Sequence, residues 1–149
     1  MTRFLPDTNV WLALILSGHP LHRRATTWWE SVAANDEVVL CRATQQSLLR
    51  LLTTAAVFAP YGDEPLSNRL AWAALDEIAA DPCVTLTAIE PSDVASAWRA
   101  HSTVTSASPK LWMDAYLAAF AKTSHAVLVT NDAAFRAYMD LDLMVIGAP

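Results

Sequence analysis

Glycine is scarce in this chain, at three in 149 residues, and cysteine is scarcer still at two. With a mean hydropathy of +0.26, the shortage of glycine excludes a long disordered stretch, because disordered segments are polar and bury too little apolar surface to fold. Cys41 and Cys83 form no CxxC pair. A disulfide framework or a thiolate metal site is thereby excluded, and two reduced, buried thiols are expected. No apolar run approaches the roughly 20 residues that cross a bilayer. The longest, Val10 to Leu16, has Asp7 and Asn9 at its front and meets Ser17-Gly18-His19-Pro20 with no small-residue cleavage site behind it, so it reads as neither a span nor a secretory signal. A soluble, cytoplasmic protein is expected. Basic residues are also few, ten against fifteen acidic ones, for a formal net charge of −5. Proteins that hold nucleic acid by bulk electrostatics are ordinarily basic, so any RNA contact has to come from a local patch, bound cations or a partner subunit.

What the chain does have is apolar substance. Hydrophobic residues make up 54% of it and charged ones 17%, which suits one compact domain over residues 1–149 with a large core. No repeat, low-complexity segment, linker or tail is visible. Arg3-Phe4-Leu5, bounded by Pro6, reads as a buried strand. Asp7-Thr8-Asn9 opens a helix through Leu16, with Asp or Thr as its cap. Further helices are expected over about 21–34, 44–54, 67–80 and 92–101, then from Pro109 to Thr123 and from Asp132 to Tyr138, with Pro60 to Pro65 as a loop. Strands are expected at Glu37–Cys41, Cys83–Thr87, Ala126–Thr130 and Leu143–Ile146. The polar, small-residue stretch Ser102 to Ser108 is the expected mobile loop. Short apolar strands alternating with helices imply βαβ units, hence an α/β sandwich of three layers with a mostly parallel central sheet of four or five short strands.

In open parallel sheets, ligands bind beyond the carboxyl ends of the strands. Asp7 follows the first strand, and Asp132 follows Val127-Leu128-Val129-Thr130. Either could simply cap a helix, and a cap and a metal ligand can use different oxygens of one carboxylate. Asp114 is more informative. Its helix, Leu111 to Ala121, is apolar almost all the way round, the pattern of a buried helix. Burying a carboxylate costs several kcal/mol unless a partner compensates, and no basic residue lies one turn away on the right face. A shared cation is one answer; backbone hydrogen bonds or a distant arginine are the other. Three carboxylates at one sheet edge would repel one another unless a divalent ion sat among them, and an all-oxygen donor set suits Mg²⁺ or Mn²⁺. Such an ion polarises a phosphodiester and activates water, with no covalent nucleophile required.

Four segments carry a family resemblance: Leu5-Pro6-Asp7-Thr8-Asn9-Val10-Trp11; Cys41-Arg42-Ala43-Thr44-Gln45 leading into Leu48-Leu49-Arg50-Leu51-Leu52-Thr53; Trp112-Met113-Asp114-Ala115-Tyr116-Leu117; and Thr130-Asn131-Asp132-Ala133-Ala134-Phe135. In order and spacing the chain resembles the PIN-domain ribonucleases, in particular the VapC toxins of bacterial toxin–antitoxin pairs. The resemblance implies a metal-dependent endoribonuclease with Asp7 and Asp114 as the principal Mg²⁺ ligands (Mn²⁺ could substitute) and Asp132 completing the acidic cluster. Asn9 and Thr130 would support it by hydrogen bonding. Many PIN domains carry a glutamate at the start of the third helix. The matching position is taken as Gln45, with Gln46 as the alternative register; an amide there would weaken a second metal. The resemblance also implies a homodimer, a small VapB-type antitoxin and a structured RNA substrate, tRNA or rRNA.

Other polar groups read as bystanders. His19 and His22 flank Pro20 in a loop without a third ligand, and the serines of 102–108 have no base to activate them. The six tryptophans suit core or dimer packing better than base stacking. Arg23, Arg24, Arg42, Arg50, Lys110 and Arg136 are candidate phosphate contacts or plain surface charges, with Arg42 and Arg50 favoured. Two other functional classes remain compatible with the residues. One is a PIN-like module that binds RNA or protein without catalysis. The other is an aspartyl-phosphate enzyme with Asp7 as nucleophile, although that chemistry wants an acid where Asn9 stands.

Overall fold

The computed structural model describes residues 1–147. Five strands, β1 (Arg3–Pro6), β2 (Glu37–Cys41), β3 (Val84–Thr87), β4 (Val127–Thr130) and β5 (Leu143–Val145), form one sheet in the order β3-β2-β1-β4-β5. Every pairing is parallel. Seven α-helices are placed among the described residues: α1 (Thr8–Ile15), α2 (His22–Glu30), α3 (Arg42–Leu52), α4 (Ala55–Phe58), α5 (Asn68–Ala79), α6 (Val94–Ser102) and α7 (Leu111–Thr123). The three-layer α/β architecture expected from the alternation is present, with all five strands in register.

Side-chain alternation along the strands divides the core in two. Phe4, Val38, Leu40 and Val129 point to one face, where they meet Val10 and Trp11 of α1, Trp28 of α2, Leu48 and Leu52 of α3, and Ala71 and Leu75 of α5. Leu5, Val39, Cys41 and Leu128 point to the other face and meet Val94 of α6 and Leu117, Ala118 and Ala121 of α7. Central β1 and its neighbours are covered on both sides, as a parallel sheet requires. Phe4 takes the edge of Trp28 at a ring separation of 5.8 Å. The tryptophans split accordingly: Trp11 and Trp28 are core, whereas Trp72 and Trp112 are more than half exposed. Cys41 is a buried free thiol as expected, but Cys83 is only partly covered.

The strands and several helices fall within one or two residues of the expected bounds, and the differences have local causes. Helix α3 begins at Arg42, directly after β2, with Cys41 in the cap position and no side-chain cap. The strand therefore runs into the helix without the loop that the pattern suggested. Ser67 caps α5 through the Leu70 N–H at 3.2 Å. Ser92 does not cap α6, which starts at Val94 after Asp93. Helix α2 stops at Glu30, shorter than expected. The region before Pro65 holds α4 and a 3-10 turn at Ala59–Tyr61, closed by Gly62 at φ 69°, a left-handed conformation that glycine adopts without steric cost. The expected helix from Asp132 is a 3-10 turn over Ala133–Ala137.

Leu48 is fully buried where α3 meets the sheet. Leu48→Ala is expected to lower unfolding stability by about 2–5 kcal/mol, read as a lower urea midpoint at unchanged slope.

Candidate active site

The parallel pairing of β1 and β4 sets Pro6 beside Val129, so the residues that leave these two strands emerge together. Asp7 is the first residue past β1, and its N–H donates to the Val129 carbonyl at 2.9 Å. Its extended backbone (φ −72°, ψ 171°) makes it the N-cap of α1. One carboxylate oxygen, Oδ1, accepts the Val10 N–H at 3.1 Å. The other, Oδ2, accepts the hydroxyl of Thr130, the last residue of β4. The Thr130 oxygen in turn accepts the Asp132 N–H at 3.0 Å. Thr130 is fully buried and Asp7 nearly so. Capping leaves each carboxylate oxygen a lone pair after its hydrogen bond.

Burial dominates the electrostatics of Asp7 and pushes its carboxyl from 3.8 up to about 6. The bonds from Thr130, Val10 and Asn9 pull the value down, and the charge of Asp114 raises it again. Asp114 sits in the first turn of α7. Its carboxyl is raised by burial first and by Asp132 second. Asp114 thus stands electrically between Asp7 and Asp132.

A cleft of about 190 Å³ is lined by Asp7, Asn9, Ser47, Arg50 and Asp114, with Leu51, Met113 and Leu117 among its apolar walls. Larger grooves of about 350 and 440 Å³ lie against β2, β3 and the end of α7, and between α1, α2 and α5. Neither is lined by these aspartates, and a small polar cleft is the right scale for an ion and its ligands. Among the described residues the ion pair within 4 Å is Arg3 with Glu37, at 2.6 Å. Arg50 lines the cleft yet neutralises neither aspartate, and Lys110 shares an open recess with Asp114 without pairing with it.

Several sequence expectations are corrected here. Asp114 is not engulfed: it is half-buried, Trp112 beside it is exposed, and full burial of α7 starts at Ala115. The more deeply buried carboxylate is Asp7. The three aspartates do not form a cage, since among the described residues no three His, Cys, Asp or Glu side chains converge closely enough to hold one ion. Asp132 is exposed, and its Oδ1 is taken by the Ala134 N–H at 2.9 Å, which starts the 3-10 turn. Asn9 lines the cleft and Thr130 is bonded to Asp7.

Gln45 is not at the cleft. Its amide NH₂ donates to the Leu40 carbonyl at 2.8 Å and the Thr87 carbonyl at 3.4 Å, and its oxygen accepts from Arg42 at 3.1 Å. It ties α3 to the ends of β2 and β3. The α3 residues that face the aspartates are Ser47 and, one turn on, Arg50. Sequence reading missed Ser47, although the buried stripe Thr44, Leu48 and Leu52 leaves 47, 50 and 51 together on an adjoining face. His19 and His22 spend their Nδ1 atoms on the Leu21 N–H and the Ala13 carbonyl.

The PIN domain family model matches residues 4–141. Ribonuclease VapC41 of Mycobacterium tuberculosis is 49% identical over 143 residues, 96% of this chain and 98% of the relative. The fold superposes on VapBC2 from Rickettsia felis, bound to a DNA fragment from its promoter, with a TM-score of 0.67 at 14% identity, covering 97% of this chain and 98% of that one. It also superposes on Mycobacterium tuberculosis VapC20, a sarcin-ricin loop cleaving toxin, with a TM-score of 0.62 at 17% identity, covering 93% and 98%.

Asp7 carries a pH signature in the protein without divalent ions. Its folded value of about 6 lies above the ordinary 3.8, so the folded state holds the proton more tightly. That contribution is fully present below about pH 4 and is lost as pH rises through about 6, amounting to about 3 kcal/mol. Urea midpoints of the metal-free protein should fall between pH 4 and 7, and Asp7→Asn should flatten that segment. A wild-type profile as flat as the variant's would contradict the assignment.

Proposed function

Since this chain belongs to the PIN domain family, we propose that it is a VapC-type toxin, an Mg²⁺-dependent endoribonuclease that cuts structured RNA, tRNA or rRNA. The observation that carries this reading is one cleft, at the carboxyl end of β1, that holds Asp7 and Asp114 with no basic side chain among the described residues paired to either. Two carboxylates that raise each other's cost of ionisation call for a cation. The donors around them, carboxylate, amide and hydroxyl oxygens of Asp7, Asp114, Asn9 and Ser47, are hard ligands of the kind Mg²⁺ and Mn²⁺ take. The residues fit the ion.

A bound divalent ion would supply Lewis acidity at the phosphodiester and lower the pKa of nearby water. The chain's own residues do the rest. Asp7 and Asp114 would hold the ion, with Thr130 and the Val10 N–H orienting Asp7 for it. Asp132 adds negative charge beside Asp114 and supports the 3-10 turn that closes this end of the sheet. Arg50 offers the cleft its nearest cation for a substrate phosphate, which matters in a chain whose net charge is −5. Ser47, and not Gln45, lines the cleft, and its hydroxyl brings no charge, which favours one ion over two. The 49% identical relative is named a ribonuclease, and a structural neighbour is a VapBC pair. The VapBC pair supports a VapB-type antitoxin as partner; a homodimer is proposed from the family resemblance alone.

Neutral Ser47 and the absence of a three-acid cage among the described residues also favour a second reading, a PIN-like module that binds RNA or protein without cutting.

Purified protein incubated with total RNA and Mg²⁺ or Mn²⁺ is expected to yield discrete fragments, and chelation to abolish them. Asp7→Asn and Asp114→Asn should each reduce the rate by at least about 100-fold. Cleavage by either variant at the wild-type rate rules the assignment out, and calorimetry showing no Asp114-dependent Mg²⁺ binding selects the non-cutting module. Arg50→Ala should raise KM for RNA more than it lowers kcat, and should reduce the slope of log affinity against log salt by about one.

A further inference from the structure

Gln45 is a buried amide, 4% exposed, whose hydrogen bonds leave it one orientation. Its NH₂ donates to the carbonyl oxygens of Leu40 and Thr87, which only a donor can approach, so its Oε1 has to face the other way. What it meets there is Arg42, whose Nη1 donates to Oε1 at 3.1 Å. The amide is anchored on the ends of two strands and steers a cation that lies one turn before it on α3.

Arg42 is exposed, and no carboxylate among the described residues comes within 4 Å of it. Of the five N–H donors of a guanidinium, the bond to Gln45 uses one. A neutral amide oxygen fixes the direction of that guanidinium and leaves its charge intact, which a carboxylate would cancel. Helix α3 also starts without a side-chain cap, so its first amides add positive potential at the same point.

The register of the sheet places this cation beside the aspartates. Phe4 is level with Val38 in the parallel pairing of β1 and β2. Advancing both strands in step sets Asp7 level with Cys41, and Arg42 is the next residue. Adjacent strands lie about 4.8 Å apart. Asp7 and Arg42 therefore leave the same edge of the sheet as neighbours, one opening α1 and the other opening α3, whose Ser47 and Arg50 line the cleft. Arg42 does not line the cleft itself. It flanks it on the side of β2 and β3, where a strand of RNA with one phosphate at the aspartates would carry another.

We propose that Arg42 binds a backbone phosphate of the RNA beside the cleft, and that Gln45 is the positioning residue that aims it. A guanidinium held by one nitrogen keeps donors free for a phosphate, the anion that its planar fork fits. In a chain of net charge −5, a directed and unpaired cation at this edge gives a polyanion a place to be held. The inference rests on reading the chain as a PIN domain that takes RNA, and it adds a second phosphate contact to that of Arg50.

The test uses the full chain and a fluorescein-labelled RNA hairpin, with binding read by anisotropy over a range of salt in chelator and cleavage read separately in Mg²⁺. Arg42→Ala should weaken binding by about tenfold and lower the slope of log affinity against log salt by about one. In cleavage it should raise KM by a similar factor and leave kcat within about twofold of wild type. Arg42→Lys keeps the charge without the fork, so the slope should return to the wild-type value with only part of the affinity. Gln45→Met keeps the cation but frees it. Affinity should then fall by about threefold at an unchanged slope, with no further fall in the Arg42→Ala background. An equal loss in both backgrounds would show that Gln45 serves the fold alone, and would overturn its positioning role. Arg42 is on the surface, so its variants decide the phosphate contact even if Gln45→Met does not fold. Arg42→Ala with wild-type affinity, slope and KM overturns the proposal. A wild type that binds the hairpin without cutting it sinks the ribonuclease reading and leaves the Arg42 comparison intact, whereas a wild type that binds no RNA sinks both.

Discussion

The bond from the Thr130 hydroxyl to the Asp7 carboxylate joins the ends of the two strands at the centre of the sheet. Because β1 and β4 are parallel and adjacent, a residue just past one and a residue ending the other are forced side by side although 123 positions separate them. Asp7 is then asked to do two things in a nearly dry place: start α1, and keep a negative charge that burial disfavours. Hydrogen bonds from Thr130 and the α1 amides offset part of the desolvation cost. They leave the carboxyl at about 6, so it is poised and not satisfied. A site that is underpaid in charge in its ion-free state is what a cation ligand requires.

The rest of the site is arranged around that junction by helix geometry. Helix α1 leaves from Asp7 and brings Asn9 along in its first turn. Helix α3 leaves β2 with no intervening loop, so its phase is set by the strand. That phase sends Gln45 down to the carbonyls of Leu40 and Thr87, and it brings Ser47 and Arg50 to the cleft. Helix α7 presents Asp114 before its own burial begins, which leaves that carboxylate half-buried. One aspartate is buried and hydrogen-bonded through both oxygens, the other is half-buried, and the difference follows from where each sits on its element.

Charge is handled locally, not globally. An acidic chain has no reason to attract RNA from a distance, and the single arginine on the cleft wall is too isolated to change that. On the proposed reading, specificity and attraction would then depend on an ion held by the two aspartates and on surfaces contributed by a partner chain.

Much of this was legible beforehand. Short β-branched runs such as Glu-Val-Val-Leu-Cys at 37–41 and the capping position of Asp7 are local signals, and local propensity plus binary pattern suffices for a mostly parallel α/β sheet with Asp7 and Asp132 at strand ends. The apolar ring of residues around Asp114 marked the right residue but misjudged its depth, because apolar periodicity does not record which turn of a helix lies beyond the neighbouring helix. The choice between Gln45 and Ser47 could not be made from spacing, since nothing in the local pattern shows that β2 passes into α3 without a loop, and a shift of two residues turns a helix face by roughly 200°. That Asp132 would spend an oxygen on its own turn is a local capping signal; that Thr130 would donate to Asp7 was decided by long-range packing. Residue types and their periodicity determined which groups could do chemistry; only the closed fold determined which of them share one small volume, because proximity across more than a hundred residues is a property of the sheet order and not of any segment.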